Sequence, residues 1–184
     1  ITSILIPVGT TTTPVTTTSK DFYYKQTQLP PNTTTTVVNI TASNASLGTT
    51  PQVPLTISAL SASKLIFSTS PASLEAGKAS AVFAVTSQDT LNNNTVLSTT
   101  DDTTLTLTAT LTGSPSGKFY SDSNCTTEIT VANLLKIVKN TTTTPNFYFK
   151  DTKSGDHIIS AYVAGLTPAS VSRTVAPAAA KYFK

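Results

Sequence analysis

Residues 104 to 112 read Thr-Leu-Thr-Leu-Thr-Ala-Thr-Leu-Thr. This strict two-residue alternation places Leu105, Leu107, Ala109 and Leu111 on one face of an extended chain and threonines on the other, the pattern of a half-buried β-strand. The bias is general: about a third of the chain is Ser or Thr, and the β-branched side chain of Thr suits a pleated surface. Charged residues make up only 11% of the chain, against about a quarter in ordinary soluble proteins. The predicted surface therefore forms hydrogen bonds without carrying much charge, which suits walls, fibres and coats.

Several classes of function are disfavoured by what is scarce. The formal net charge is +3 and scattered; there is no basic run, and Arg173 is the sole arginine, so nucleic acid is not an expected partner. No stretch approaches the roughly 18 apolar residues of a membrane-spanning helix. The sequence begins at Ile1 and contains no methionine, which fits a secreted chain whose signal peptide has been removed. Cys125 is the single cysteine, so no disulfide closes within one chain; it is either a buried spectator thiol or one half of a bridge between chains.

Turn residues divide the sequence into short β-runs, and no helical period lasts beyond two turns. Expected strands are Ser3 to Val8, Phe22 to Gln28, Thr36 to Ala42, Val53 to Leu60, Lys64 to Ser68 and Ala79 to Thr86 in the first half. In the second half they are Leu105 to Leu111, Gly117 to Tyr120, Thr127 to Val131, Asn146 to Lys150, His157 to Ala164 and Ser170 to Ala176. Leu134 to Val138 reads as a further strand or one helical turn. Asp89 and Asp151 end strands ahead of polar turns, where a carboxylate accepts backbone N–H groups.

From Lys64 the chain reads Lys-Leu-Ile-Phe-Ser-Thr-Ser-Pro, then Leu74-Glu75-Ala76-Gly77, Gln88-Asp89 and the turn Asn92 to Asn94. Further on come Gly117-Lys118-Phe119-Tyr120-Ser121-Asp122, Cys125-Thr126-Thr127, Phe147-Tyr148-Phe149-Lys150-Asp151-Thr152, and Gly155 followed by Ile158-Ile159-Ser160-Ala161. In order and spacing, residues 60 to 177 resemble the bacterial immunoglobulin-like repeats of large surface proteins of the invasin and intimin type. The resemblance implies a load-bearing or spacing module. Some members carry a second cysteine near the place of Ala79, so any disulfide of that group is missing here.

The expected organisation follows. Residues 1–19 form an N-terminal arm and Thr-rich connector, 20–57 an N-terminal β-region, 58–178 an immunoglobulin-like β-sandwich, and 179–184 a C-terminal tail. The fold class is all-β. In the arm, Ile1, Ile4, Leu5, Ile6 and Val8 are apolar on both strand faces. This segment is either the first strand of its own sandwich or a donor strand for the sheet of a neighbouring subunit.

Chemistry-bearing patterns are sparse. His157 is the only histidine and is expected at a solvated or edge-strand position. No phosphate loop, nucleophile elbow or zinc-protease motif appears, so no enzyme is expected. Calcium is the one cofactor with candidates: Asp101 with Asp102, and Asp151 with Asp156, could supply loop oxygens, or they simply cap turn N–H groups. Sequons at Asn32, Asn39, Asn44, Asn93, Asn124 and Asn140 are candidate glycan sites. The expected function is a structural subunit of an extracellular or cell-surface homopolymer, joined by strand donation. The alternative is an adhesin or carbohydrate-binding module using Tyr23, Tyr24, Tyr120, Tyr148 and Tyr162.

Overall fold

A computed structural model describes residues 23–30, 33–41 and 52–180. The segment Ile1–Val8, its Thr-rich connector, Asn32, Asn44 and the last four residues lie outside these. Among the described residues every regular element is a strand, and the strands form a β-sandwich.

One layer is a five-stranded sheet in the order β4-β13-β12-β7-β8, with β4 Leu74–Glu75, β7 Thr106–Leu111, β8 Ser114–Pro115, β12 Gly155–Tyr162 and β13 Ala169–Ala176. All its pairings are antiparallel except β13 with β4. The other layer starts from β3 Lys64–Thr69 paired with β5 Ala84–Gln88. Bridges Phe83↔Phe147 and Thr86↔Thr143 continue it into the segment that becomes β11 Tyr148–Lys150, which pairs with β9 Lys118–Tyr120. A short pair, β6 Thr103–Thr104 with β10 Lys136–Ile137, and a hairpin, β1 Thr35–Thr41 with β2 Gln52–Ser58, complete the set.

The threonine alternation forms a central strand of the five-stranded sheet. Leu105 and Ala109 are buried, Leu107 and Leu111 half-buried, and Thr104, Thr106 and Thr108 exposed. The outer face of that sheet carries hydroxyls beside Asp156, Ile158 and Tyr162: Ser160 Oγ donates to Ser170 Oγ at 3.1 Å and Thr174 Oγ1 to Asp156 Oδ1 at 2.6 Å. Between the layers Phe83, Phe147, Phe149, Leu105, Ile137 and Ile159 are fully buried. Phe147 stacks on Phe83 with centroids 5.6 Å apart and meets Phe119 edge-on at 6.1 Å. Alternation thus sends Phe147 and Phe149 inward and leaves Tyr148 half-exposed.

Some expected strands are absent or displaced. Tyr23–Pro30 has no ladder partner and is held by side-chain bonds. Thr127–Val131 makes only the bridge Tyr120↔Glu128, flanked by bonds from Ile129 N to Phe119 O at 2.8 Å and from Ser121 N to Thr127 O at 3.0 Å; the amides of Thr127 and Thr130 go instead to the Asp122 carboxylate and Asn133 Oδ1. The strand expected from Ala79 begins at Ala84; Ser80 and Phe83 instead donate to the carbonyls of Phe149 and Phe147. His157 is not at an edge. It sits on β12 between β7 and β13, and it is wholly buried.

Gly117 fixes one of the turns. Its φ is +76°, and a Cβ there would overlap the Phe149 ring. Gly117→Ala is therefore expected to cost about 2 kcal/mol, from left-handed strain together with displacement of a core aromatic. Urea unfolding checks this, and a loss under about 0.5 kcal/mol would show that the ring moves aside freely.

Candidate functional site

The residues expected to join subunits, Ile1, Ile4, Leu5, Ile6 and Val8, are outside the described residues, but the place where the N-terminal segment meets the sandwich is defined. Asp89 closes strand β5 and is wholly buried. Its Oδ1 accepts from Leu91 N at 2.8 Å and Asn93 N at 2.9 Å, and its Oδ2 from Leu60 N and Asn93 Nδ2, both at 3.0 Å. Burial works to raise the Asp89 pKa, but the bonds from Asn93, Leu60 and Leu91 outweigh it and hold the carboxyl below its ordinary range.

Asn93, so oriented, clasps the N-terminal segment. Its Oδ1 accepts from Leu29 N at 2.7 Å and its Nδ2 donates to Thr27 O at 3.1 Å, while Gln28 Nε2 donates to Leu91 O at 2.8 Å. The expectation of a glycan on Asn93 is corrected by this geometry. The side chain is 7% exposed and its amide nitrogen is already engaged, so a sugar has no room in the folded chain. Asn39, Asn124 and Asn140 are exposed.

Beyond the clasp, β1 and β2 project as a hairpin. Register places Val38 opposite Leu55, Ile40 opposite Val53 and Thr36 opposite Ile57, so five apolar side chains share one face. Val37, Asn39 and Thr41 lie on the other. This face is only partly covered: Val53 is 61% exposed and Leu55 39%, while Val38, Ile40 and Ile57 are half-buried. An isolated two-stranded hairpin is at best marginally stable in water, so this one is incomplete as a folding unit.

The acidic candidates divide. Asp101 and Asp102 remain exposed; Asp101 Oδ2 accepts from Thr100 Oγ1 at 2.8 Å and Asp102 Oδ1 from Lys139 N at 3.1 Å. Asp151 and Asp156 do not converge. Asp156 faces outward beside Thr174, whereas Asp151 is buried against His157. Among the described residues no three His, Cys, Asp or Glu side chains gather as a metal site.

Asp151 Oδ2 accepts from Ser116 Oγ at 2.5 Å and faces His157 Nε2 at 2.7 Å, while Oδ1 accepts from Lys153 N at 3.0 Å. Burial works to raise the pKa of Asp151 and is outweighed by the bonds from Ser116, Lys153 and His157, so this carboxyl too titrates below the usual range. His, Asp and Ser in contact suggest a catalytic group, but the connectivity is wrong for one. The serine bonds the carboxylate and not the imidazole, and His157 Nδ1 is occupied by Gly155 O at 3.0 Å. No nucleophile and base are paired; the cluster ties the Ser116 and Asp151 turns to the inner face of β12.

Cys125 is half-buried with φ +53° in the Asp122 turn, so it is not a core thiol. Partial burial pushes its pKa up, with Asp122 adding to the effect and Lys150 opposing it. Tyr120 and Tyr148 are cross-strand partners on β9 and β11, both half-buried, and Tyr23 and Tyr162 are exposed. No helix among the described residues is long and apolar enough to cross a membrane.

No protein-family model matches the sequence, and no curated protein is similar to it. Among solved structures the chain is similar to a glycosyl hydrolase family 2 member from Bacteroides cellulosilyticus, at 19% identity and a TM-score of 0.44 over 76% of this chain. A second such member, from Bacteroides cellulosilyticus DSM 14838, gives 19% identity and a TM-score of 0.43 over 74%. The chain spans 17% and 18% of the length of these two proteins.

Proposed function

We propose that this chain is a structural subunit of an extracellular or cell-surface polymer, joined to its neighbours by β-strand donation, with the sandwich acting as a spacing module of the invasin and intimin type. The observation that carries the reading is the apolar face of the β1–β2 hairpin, on which Val53 and Leu55 stay exposed. A hairpin of this kind needs additional β-structure, and the apolar segment Ile1–Val8, followed by a Thr-rich connector, has the composition to provide it.

The test is deletion of residues 1–10. The truncated chain is expected to remain a folded monomer by circular dichroism and ultracentrifugation, while the full chain forms a polymer with a regular repeat by electron microscopy. Normal assembly of the truncated chain would overturn strand donation. The adhesin or carbohydrate-binding reading draws support from the Tyr120↔Tyr148 pair; it predicts a full-length monomer that binds glycans and loses binding on Tyr148→Ala.

A further inference from the structure

The hairpin has two outer edges, and they are not equivalent. Pro54 lies within β2, and the pairing of β2 with β1 runs unbroken through Asn39↔Pro54. The donor that proline lacks therefore falls on the outer side of β2, blunting that edge. The seven residues of β1, Thr35–Thr41, include no proline, lysine or bulge. Among the described residues nothing pairs with its outer edge, so its run of backbone donors and acceptors is uninterrupted there. A groove bordered by Thr33–Thr35, Val96 and Asn140–Thr143 opens beside the start of β1, and no residue of β2 lines it.

We infer that the outer edge of β1 is the acceptor for the segment Ile1–Val8 of a neighbouring copy, a proposal that rests on the strand-donation reading and names its receiving site. Length matches, since β1 has seven residues and the apolar segment runs from Ile1 to Val8. Chemistry matches too: a strand added there in parallel sets Ile4, Ile6 and Val8 alongside Val38 and Ile40, widening the existing apolar face, and turns the nitrogen of Pro7, which has no hydrogen to donate, away from β1. Reach is sufficient. Residues 9–22, the connector together with the three residues before Tyr23, span up to about 50 Å when extended, more than the roughly 40 Å width of a compact chain of this size. Asn39 lies on the opposite face of β1, so a glycan there would leave the acceptor edge open.

The experiment mixes two full-length chains, both carrying Cys125→Ser, one with Ile4→Cys or Ile6→Cys and the other with Val38→Cys, under mild oxidation. A mixed covalent dimer is expected, in at least tenfold higher yield than when Ser114→Cys on edge strand β8 replaces Val38→Cys. As a second measurement, Val38→Asp should raise the concentration needed for assembly at least tenfold, and Asn39→Asp, on the opposite face, less than twofold. Circular dichroism checks that both variants fold, as expected for two residues outside the sandwich core. Preferential bonding to Ser114→Cys would place the donated strand on the other sheet and overturn the proposal. Ring closure within a single chain carrying both Ile6→Cys and Val38→Cys, with no mixed dimer, would overturn it in favour of an arm folded onto its own subunit. No cross-link, together with polymerisation that still requires residues 1–10, would remove β1 as acceptor and leave donation standing; polymerisation without residues 1–10 would remove donation itself.

Discussion

Replacing Asp89 with alanine is expected to lower stability by about 4 kcal/mol, because four N–H groups lose their acceptor at one buried point. The midpoint of thermal unfolding should fall by on the order of 10 °C. Asp89→Asn, which keeps one acceptor oxygen, should lose about half as much. The effect extends past the turn, since Asn93 is held by Asp89 and in turn holds residues 27–29. Limited proteolysis next to Tyr23 to Lys25 should accelerate in Asp89→Ala before global unfolding sets in. A loss below about 1 kcal/mol, with unchanged cleavage, would show that the clasp is held by other contacts.

Asp151→Ala should cost about 3 kcal/mol, since it strips the partner from the Nε2 atom of a fully buried imidazole and orphans Ser116 and the Lys153 amide. Asp89 and Asp151 also set the acid limb of stability. Both carboxyls have folded pKa values below their ordinary ones, so the unfolded chain takes up these protons first as pH falls. Their stabilisation is complete above the unfolded carboxylate value of about 3.9 and is lost as pH drops through the lower folded values. Urea midpoints should be flat from neutrality to about pH 4 and decline below it, with a shallower decline in the Asp151→Ala and Asp89→Ala variants. An equally steep decline in both variants would assign the acid response to other groups.

The sandwich strands were legible because their signals are local. The alternation of Leu105 to Leu111 determines which side chains are buried, and Asp151 marks a turn by N–H capping. Leu74–Glu75 and Ser114–Pro115 were not legible, since two paired residues have no period to read. Thr127–Val131 has a strand composition, but the amides of Thr127 and Thr130 go to the Asp122 and Asn133 side chains, a competition no hydrophobic pattern records. His157 misled because Gly155-Asp156 reads as a turn, while Gly155 in fact opens the longest central strand and the imidazole finds Asp151 across a chain reversal. Asn93 shows the same limit: a sequon records two residue types, whereas its role depends on Thr27 and Leu29, more than sixty positions away. The apolar face of β1–β2 was readable only as two strands until register put Val38, Ile40, Val53, Leu55 and Ile57 on one side.

The hydroxyl-covered outer face of the five-stranded sheet also bears on how such molecules behave in concentrated or saline surroundings. Attraction and repulsion between charged surfaces change with every alteration of dissolved salt, since the Debye length shrinks from about 30 Å at 0.01 M to about 3 Å at 1 M. A face on which Ser160, Ser170, Ser172 and Thr108 meet water beside Ile158, Tyr162 and the single carboxylate of Asp156 has little for counterions to screen. Its hydration rests on short-range hydrogen bonds that brine and dilute water satisfy almost equally, so the hydration of this face is expected to change little between the two media.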